Sequence, residues 1–212
     1  MKLLCVSDQI DPLVYTDSIK QRFADVDLIL SAGDLPRDYL EFIAWALNKP
    51  LLFVFGNDHV QDSPCRKTGV HVDSKVHRKE GLIIAGLGGY MPYKLPNLQK
   101  NQFTDFQMYI RMLKLLPALF LNRVFHGRFL DVLLTHASPL GIHDKGNQGY
   151  RGFKCFLWFM RVFKPKYLIH GHIHRYNISE ARKTRYFDTL VINAYSHYII
   201  DTADKDFSET GY

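Results

Sequence analysis

The sequence lacks an uncharged apolar run of the roughly 18 residues that a membrane-spanning helix needs. Its N-terminal stretch reaches an acidic residue, Asp8, too early for a secretory signal peptide. Cysteine is scarce: Cys5, Cys65 and Cys155 are odd in number and far apart, which excludes a disulfide framework and a CxxC zinc knuckle. We therefore expect a cytoplasmic protein with reduced cysteines.

Internal repeats, low-complexity stretches and Gly/Ser-rich linkers are also missing, so nothing in the composition divides the 212 residues into two domains. Hydrophobic residues make up 47% and charged residues 23%, which is close to the average of globular proteins and excludes disordered and collagen-like classes. We expect one domain over residues 1–200, followed by a polar C-terminal tail over 201–212.

Acidic residues are absent from two segments, 106–130 and 145–166, which carry four and six Lys or Arg residues. The chain as a whole has a net charge of +6, so its positive charge is concentrated there. An anionic partner of these segments would be a phosphate-bearing substrate, a lipid head group or a nucleic acid. Nucleic acid is the least favoured because no nucleic-acid motif is present. Solvated helix faces on a basic protein would explain the same pattern.

Short apolar runs alternate with helical patterns along the chain. The first part predicts strands over 2–7, 27–32 and 51–55 and helices over 16–24 and 36–48. Continuous apolar strands separated by helices are typical of a parallel sheet that is covered on both faces. Further strands are predicted over 82–86, 130–135, 166–169, 185–193 and 195–200, and further helices over 103–121 and 150–163.

Polar residues that can bind metal ions follow five of the predicted strands. The strand ends read Ser7-Asp8, Gly33-Asp34, Gly56-Asn57-Asp58-His59, Thr135-His136 and His170-Gly171-His172-Ile173-His174. Carboxyl ends of parallel strands form one edge of a sheet, where ligands bind. Oxygen and imidazole donors without thiolates suit manganese, iron, zinc or nickel. Two ions bridged by one carboxylate about 3.5–4 Å apart organise in-line displacement at phosphorus.

Each of these fragments has a simpler explanation when it is taken singly. Asp8 or Asp34 alone is more simply a turn or helix-cap residue, and His136 alone is equally a hydrogen-bonded histidine at a strand end. The ordered set D…GD…GN…H…GHxH, which runs from Asp8 to His174, resembles the calcineurin-like metallophosphoesterase superfamily. That resemblance implies an α/β fold, a four-layer α/β/β/α sandwich with two facing sheets, and metal-dependent hydrolysis of a phosphomonoester or phosphodiester.

The resemblance also implies ligands for two divalent ions. Asp8 and His174 would hold the first ion and Asp34 would bridge both, while the second ion would take Asn57, His136 and His172. The family's first motif is DxH, but here it reads Asp8-Gln9-Ile10, so the first site loses an imidazole. In metalloenzymes generally, three protein ligands and a water molecule are enough to hold a catalytic ion. Substitutes for the missing ligand would be Gln9, Asp11 or His143.

The third motif departs from the family pattern as well. Where the family has GNH, the chain reads Gly56-Asn57-Asp58-His59, so Asp58 stands at the position of the general acid. Either Asp58 or His59 would protonate the leaving group, with a slight preference for His59, or neither would serve. Two further residues are predicted to contact substrate, Arg37 beside the bridging aspartate and His143 in the loop after His136, although surface roles explain both equally well.

The substrate class stays open between a phosphorylated small molecule and a lipid-linked compound. Basic residues and large apolar residues are interleaved over 106–130 and 150–166, which suits peripheral contact with a membrane, although core packing explains the aromatics too. An alternative function is a catalytically weakened scaffold that binds one ion or none. Ile10 and Asp58 favour the scaffold, whereas the intact set of the other donors favours the hydrolase.

Overall fold

The structure, a computed structural model, describes residues 1–57, 68–92, 100–146, 149–175, 177 and 180–203. The strands are β1 (Lys2–Ser7), β2 (Val26–Ser31), β3 (Leu51–Phe53), β4 (Gly69–His71), β5 (Val76–Lys79), β6 (Leu82–Leu87), β7 (Val132–Thr135), β8 (Tyr167–His170), β9 (Lys183–Tyr186), β10 (Thr189–Asn193) and β11 (Ser196–Asp201). The helices are α1 (Ile19–Arg22), α2 (Arg37–Leu47), α3 (Asp105–Leu113), α4 (Leu116–His126) and α5 (Lys154–Phe163).

The strands form two sheets of mixed direction. The first sheet has the order β11-β1-β2-β3-β4, in which β1 to β4 run parallel and β11 pairs antiparallel with β1. The second has the order β5-β6-β7-β8-β10-β9, in which β6, β7, β8 and β10 run parallel and both edge strands are antiparallel. The carboxyl ends of the central strands therefore share one edge within each sheet.

The two sheets pack face to face because their strands are apolar on both sides. In β1, Leu3 and Cys5 enter the cluster between the sheets, whereas Leu4 and Val6 pack under the helices. This is the alternation that a strand with period two produces when both of its faces are covered. Ile84, Val132 and Ile169 line the same inter-sheet cluster from the second sheet. One shared apolar core thus fixes the two sheets against each other.

Helices cover the outer face of each sheet. Residues of α1 and α2, such as Ile19 and Ile43, pack on the first sheet. Residues of α3, α4 and α5 pack on the second sheet in a separate cluster with Leu133. The predicted four-layer α/β/β/α sandwich is confirmed. Within the ranges that the structure describes, none of the helices has the length and apolarity to cross a membrane.

Several predicted elements differ from the observed ones. The apolar runs predicted a parallel sheet, whereas the strands belong to two sheets that are parallel at their centres and have antiparallel edge strands β11, β5 and β9. The helix predicted over 103–121 ends at Leu113 and restarts at Leu116, because Pro117 has no N–H and its ring would clash with the carbonyl of Leu113. The strand predicted over 185–193 is the hairpin β9–β10, turning at Phe187 with φ +52°.

At the C-terminus, the predicted tail boundary falls inside a strand. Asp201 ends β11 and pairs with Lys2, which makes it part of the first sheet. Residues 204–212 lie outside the described residues. Strands β4 and β5 have no counterpart among the predicted elements, because they are short and largely polar or exposed.

Candidate metal centre

Six predicted ligands lie at the carboxyl edges of the two sheets, in the loops that follow β1, β2, β3, β7 and β8: Asp8, Asp34, Asn57, His136, His172 and His174. Hydrogen bonds between loops of the two sheets hold these residues together. The backbone N–H of His172, from the second sheet, donates to both carboxylate oxygens of Asp8, from the first sheet, at 3.0 and 2.9 Å. Because the two sheets face each other, the loops after five strands lie close together at one end of the molecule.

Four of these residues form a compact donor cluster. Asp34, His136 and His172 each offer an atom, and these atoms lie within 4.8 Å of one another. Asn57 Oδ1 lies 2.7 Å from His136 Nε2 and 3.2 Å from His172 Nδ1. Asp34 Oδ2 lies 3.3 Å from His136 Nε2. A carboxylate, an amide oxygen and two imidazoles make a donor set that suits a divalent first-row metal ion.

Backbone carbonyls set the orientation of both imidazole rings. His136 Nδ1 lies 2.7 Å from the carbonyl oxygen of Ala32, and His172 Nε2 lies 2.7 Å from that of Gly149. Since a carbonyl oxygen only accepts, these two nitrogens carry protons. The other two ring nitrogens then face Asn57 Oδ1, which is also an acceptor. A proton on one ring, a metal ion, or the amide N–H₂ of Asn57 turned toward the rings satisfies these contacts, and the donor set fits a cation.

Electrostatics favour a proton on the His136 ring when no metal ion is bound. Burial opposes a charge there, but the carboxylate of Asp34 beside the ring, with a contribution from Asp8, raises the pKa of His136 to about 9. Burial and the neighbouring charge of His136 lower the pKa of His172 to about 4, so its ring stays neutral. Burial also raises the pKa of Asp8, against the opposing effect of His136. A metal ion and the proton on His136 therefore compete for one position.

The backbone is strained where three of the donors are held. Asp8, Asp34 and His172 have φ values of +62°, +55° and +65°. This left-handed region costs a non-glycine residue roughly 1–2 kcal/mol, and histidine lacks the local hydrogen bonding that helps aspartate. Strained residues persist where the surrounding structure dictates them, and they concentrate at functional sites. The left-handed backbone at these three residues thus determines the directions in which their side chains point.

Gly33 leaves space for the ligand that follows it. Its φ of +104° suits glycine, and a Cβ there would lie 2.7 Å from His136 Nδ1 and 2.8 Å from the Gly56 nitrogen. Close approach of the β2 loop to His136 therefore requires glycine at this position. The same approach brings Asp34, the next residue, to the ring of His136.

The donors of the first ion are less complete than those of the second. Asp8 Oδ1 lies 3.8 Å from His174 Nε2, and the same carboxylate accepts hydrogen bonds from Ser7 Oγ and the His172 N–H. Ile10 is 40% exposed and has no ligand atom to offer. Of the donors predicted for a first ion, the structure therefore places Asp8 and His174 near each other and Ile10 without a contribution.

Of the suggested substitutes, Asp11 is engaged elsewhere. Its Oδ2 accepts from Ser196 Oγ at 2.5 Å and from His197 Nδ1, and its Oδ1 accepts from the Leu13 N–H at 2.8 Å. These hydrogen bonds lower the pKa of Asp11 against the effect of burial. Asp11 thus ties the loop after β1 to β11, whereas Gln9 is exposed.

The remaining predicted residues are placed as follows. Asp58 and His59 lie outside the described residues. Arg37 begins α2, and its Nε lies 2.7 Å from Glu41 Oε1 with the guanidinium side chain 45% exposed. His143 turns its ring toward β8 and β9, with its two nitrogens each 2.9 Å from a partner, His170 Nε2 and Thr184 Oγ1.

Aromatic rings around the histidines were not predicted. Tyr150 stacks on His172 with ring centroids 5.2 Å apart, and Tyr90 lies 5.5 Å from the same ring. Tyr195 lies 5.2 Å from His174. These tyrosines come from loops far apart in the sequence, so spacing alone carries no signal for them.

The pair of His143 and His170 predicts a loss of stability in acid. Burial lowers the pKa of both rings, that of His143 to about 4, with a contribution from Arg175. The folded chain keeps these rings neutral, while the unfolded chain binds protons below about pH 6.5. The contribution of these two rings to the free energy of unfolding is therefore fully present above about pH 6.5, and it is lost as the pH drops toward 4.

We expect the His143 ring to account for about 2 kcal/mol of this loss between pH 7 and pH 5. His143→Asn, which tolerates the φ of +61° at this position, should flatten the pH dependence measured by urea unfolding. A pH dependence identical in the variant and the wild-type chain would contradict this assignment.

Comparison with solved structures places the fold among the metallophosphoesterase-type folds. One crystal structure aligns with 95% of this chain and 95% of its own, with a TM-score of 0.66 at 11% identity. TT1561 of Thermus thermophilus aligns with 91% of this chain and 88% of its own, with a TM-score of 0.59 at 14% identity. At such low sequence identities, the structural alignments show a similar fold and nothing about activity. The fold is therefore consistent with the resemblance to calcineurin-like metallophosphoesterases.

Sequence comparison reaches only part of the chain. The UPF0046 protein T07D4.2 of Caenorhabditis elegans is 40% identical over 68 residues, which amount to 30% of this chain and 17% of that protein. No protein-family model matches the sequence.

Proposed function

We propose that the protein is a metal-dependent phosphoesterase that hydrolyses a phosphomonoester or a phosphodiester. One observation carries the proposal: two imidazole nitrogens, one amide oxygen and one carboxylate converge at the carboxyl edges of two facing sheets, with both rings oriented by backbone carbonyls. Converging imidazole nitrogens and side-chain oxygens suit a cation, and a fold like that of metallophosphoesterases supplies the edge at which such donors collect.

The residues that would hold the ions fall into two sets. Asp34, Asn57, His136 and His172 would hold one divalent ion, and Asp8, His174 and the bridging Asp34 would hold another. Manganese, iron, zinc or nickel suits these donors. When bound, such ions lower the pKa of a water molecule and draw charge from the oxygens of a phosphoryl group.

The chain itself contributes orientation. Ala32 and Gly149 fix the two imidazole rings through their carbonyls, and Tyr150 stacks on the ring of His172. His174 is 38% exposed, so it faces the solvent side of the site, where substrate would enter. Donors held in place before binding lose little freedom when a ligand arrives, which favours both metal affinity and catalysis.

Arg37 is the proposed contact to the phosphate, because it begins the helix after Asp34 and its side chain, which pairs with Glu41, is 45% exposed. His143 lines a cavity of about 340 Å³ beside the His172–His174 segment, together with Lys145, Arg175 and Asn193. Asp144 and Glu180 also line this cavity, and we propose that it accepts a polar part of the substrate. Protonation of the leaving group is assigned to His59 or Asp58.

A scaffold that binds one ion or none is the second candidate function. It is favoured by Ile10, which leaves the first set short of an imidazole. The complete four-donor set and its carbonyl-oriented rings favour the hydrolase, since a scaffold has no physical need for them.

The test is hydrolysis of p-nitrophenyl phosphate and of its bis ester with manganese or with a chelator. We expect metal-dependent turnover that falls by more than about a hundredfold in Asp34→Asn. Asp38→Asn, which changes an exposed aspartate on α2, is the matched control and should retain full turnover. Turnover that persists in the chelator, or in Asp34→Asn, would contradict the proposal, while bound metal without turnover on either ester would favour the scaffold.

A further inference from the structure

Both acid-poor segments of the chain lie in the same outer layer of the fold. Segment 106–130 contains α4 and all of α3 except its first residue, segment 145–166 contains α5, and all three helices cover the six-stranded sheet. Their inward side chains, such as Met112, Leu119 and Phe159, are buried against that sheet. We refer to α3, α4 and α5 together as the basic helix layer.

The outer face of the basic helix layer is rich in exposed apolar side chains. Val124 and Phe125 on α4 are 77% and 74% exposed. Trp158 on α5 connects this face to α3 and α4, since its ring lies 5.9 Å from Tyr109 and 5.7 Å from Phe163, which in turn lies 6.4 Å from Phe120. The exposed apolar residues are Phe106, Ile110, Phe120, Leu121, Val124, Phe125, Trp158 and Val162.

The same layer carries a surplus of positive charge. Segments 105–130 and 154–166 contain eight Lys or Arg residues and a single acid, Asp105. Three of these cations pair with carboxylates: Arg111 with Asp73, Arg128 with Asp131, and Lys164 with Asp188. Lys114, Arg123, Lys154 and Arg161 are exposed and add charge to the apolar face.

The combination of positive charge and exposed apolar residues favours an anionic membrane over a second copy of the chain as the partner of this face. A second copy of the chain, packed on the same face, would bring two positively charged layers together, and like charges repel. The surface of an anionic bilayer satisfies both features, because rings and aliphatic side chains enter the boundary between head groups and acyl chains while Lys and Arg meet lipid phosphates. We propose that the basic helix layer docks the protein on an anionic membrane surface.

The opposite face of the molecule provides an internal control. Trp45 on α2 is 80% exposed, as much as any apolar residue of the basic helix layer, but α2 carries the acids Asp38 and Glu41. The charges beside this ring are mixed, since Glu41, Lys49 and Lys79 line the same surface pocket, so the ring lacks the surplus of positive charge that the interaction needs. The proposal does not depend on catalytic activity, so its failure and that of the proposed function are separate results.

The experiment is co-sedimentation of the purified chain with vesicles of phosphatidylglycerol and phosphatidylcholine, compared with vesicles of phosphatidylcholine alone. We expect binding to the anionic vesicles that weakens with added salt. The pair Val124→Ser and Phe125→Ser should lower the partition coefficient by about tenfold or more. The pair Lys114→Gln and Arg123→Gln should lower it by about fivefold for each residue. Trp45→Ser should leave it unchanged.

All substituted positions are exposed, and thermal unfolding of each variant checks that the fold is retained. Failure to bind anionic vesicles would overturn the proposal, as would equal binding to phosphatidylcholine alone. Sedimentation equilibrium adds a further test. A dimer that Val124→Ser and Phe125→Ser dissociate, in a chain that does not bind vesicles, would assign this face to a second copy instead.

Discussion

Replacing His136 by alanine will lower the affinity for Mn²⁺ by more than about a hundredfold and remove metal-dependent ester hydrolysis. The ring is fully buried, and its Nε2 lies within 2.7 Å of Asn57 Oδ1 and 3.3 Å of Asp34 Oδ2. Alanine removes one ligand and also takes a positive partner away from the carboxylate of Asp34. Titration calorimetry of chelator-treated protein with manganese chloride measures the first effect directly.

The control for His136→Ala is His126→Ala, an exposed histidine at the end of α4 that lies outside the donor cluster. It should bind manganese like the wild-type chain. If His136→Ala bound manganese with wild-type affinity, His136 would not be a metal ligand, and the contacts of its ring would serve only the stability of the fold.

Gly56→Ala is expected to have the second large effect. A Cβ at Gly56 would overlap Asp34 Oδ1 and His136 Cε1, two side chains of the donor cluster. The methyl group has to push one of these side chains away, and both are held by the rest of the site. We expect a loss of manganese affinity of about a hundredfold, because displaced ligands lose their common geometry. The variant should also unfold at a lower urea concentration than the wild-type chain.

Gly81→Ala separates loss of stability from loss of the site. Gly81 lies in the turn between β5 and β6 with φ +78°, and no atom lies within 4 Å of its hypothetical Cβ. Alanine there should cost roughly 1 kcal/mol through the left-handed backbone and leave metal affinity unchanged. If both glycine variants lost metal affinity in proportion to their stability, the clash at Gly56 would not be the cause.

The sequence predicts much of the fold because buried strands and strand ends have strong local signals. Strand β1 matches its predicted range, Lys2–Ser7, and β2, β3, β6, β7 and β8 lie within one or two residues of theirs. Six donor residues were predicted from their positions after strands, and the structure brings them together at the adjoining carboxyl edges of the two sheets. Their roles as metal ligands remain predictions.

Other features depend on contacts that a linear pattern does not contain. A strand such as β7 is apolar on both faces whether helices or a second sheet cover it, so periodicity alone could not reveal the facing sheets. The orientation of His136 depends on a carbonyl 104 residues away, that of Ala32. The role of Asp11 depends on β11, whose Ser196 and His197 bind its carboxylate.

The structure shows which of the two proposed metal sites the aliphatic side chain of Ile10 affects. An aliphatic side chain at this position affects the proposed first set only, since the proposed second set takes its donors from the loops after β2, β3, β7 and β8. We therefore expect unequal sites, one that binds a metal ion tightly and one that binds it weakly. Asp8 retains a second role, because its carboxylate holds the His172 N–H and so supports the second set.

Metal content, measured by elemental mass spectrometry on protein purified without chelator and dialysed against manganese, tests the central claim most directly. The proposal predicts at least one tightly bound first-row metal ion per chain, and none in a variant that combines Asp34→Asn with His136→Ala. A wild-type chain that holds no metal after dialysis, or a double variant that holds as much as the wild type, would contradict the metal centre and the hydrolytic function built on it.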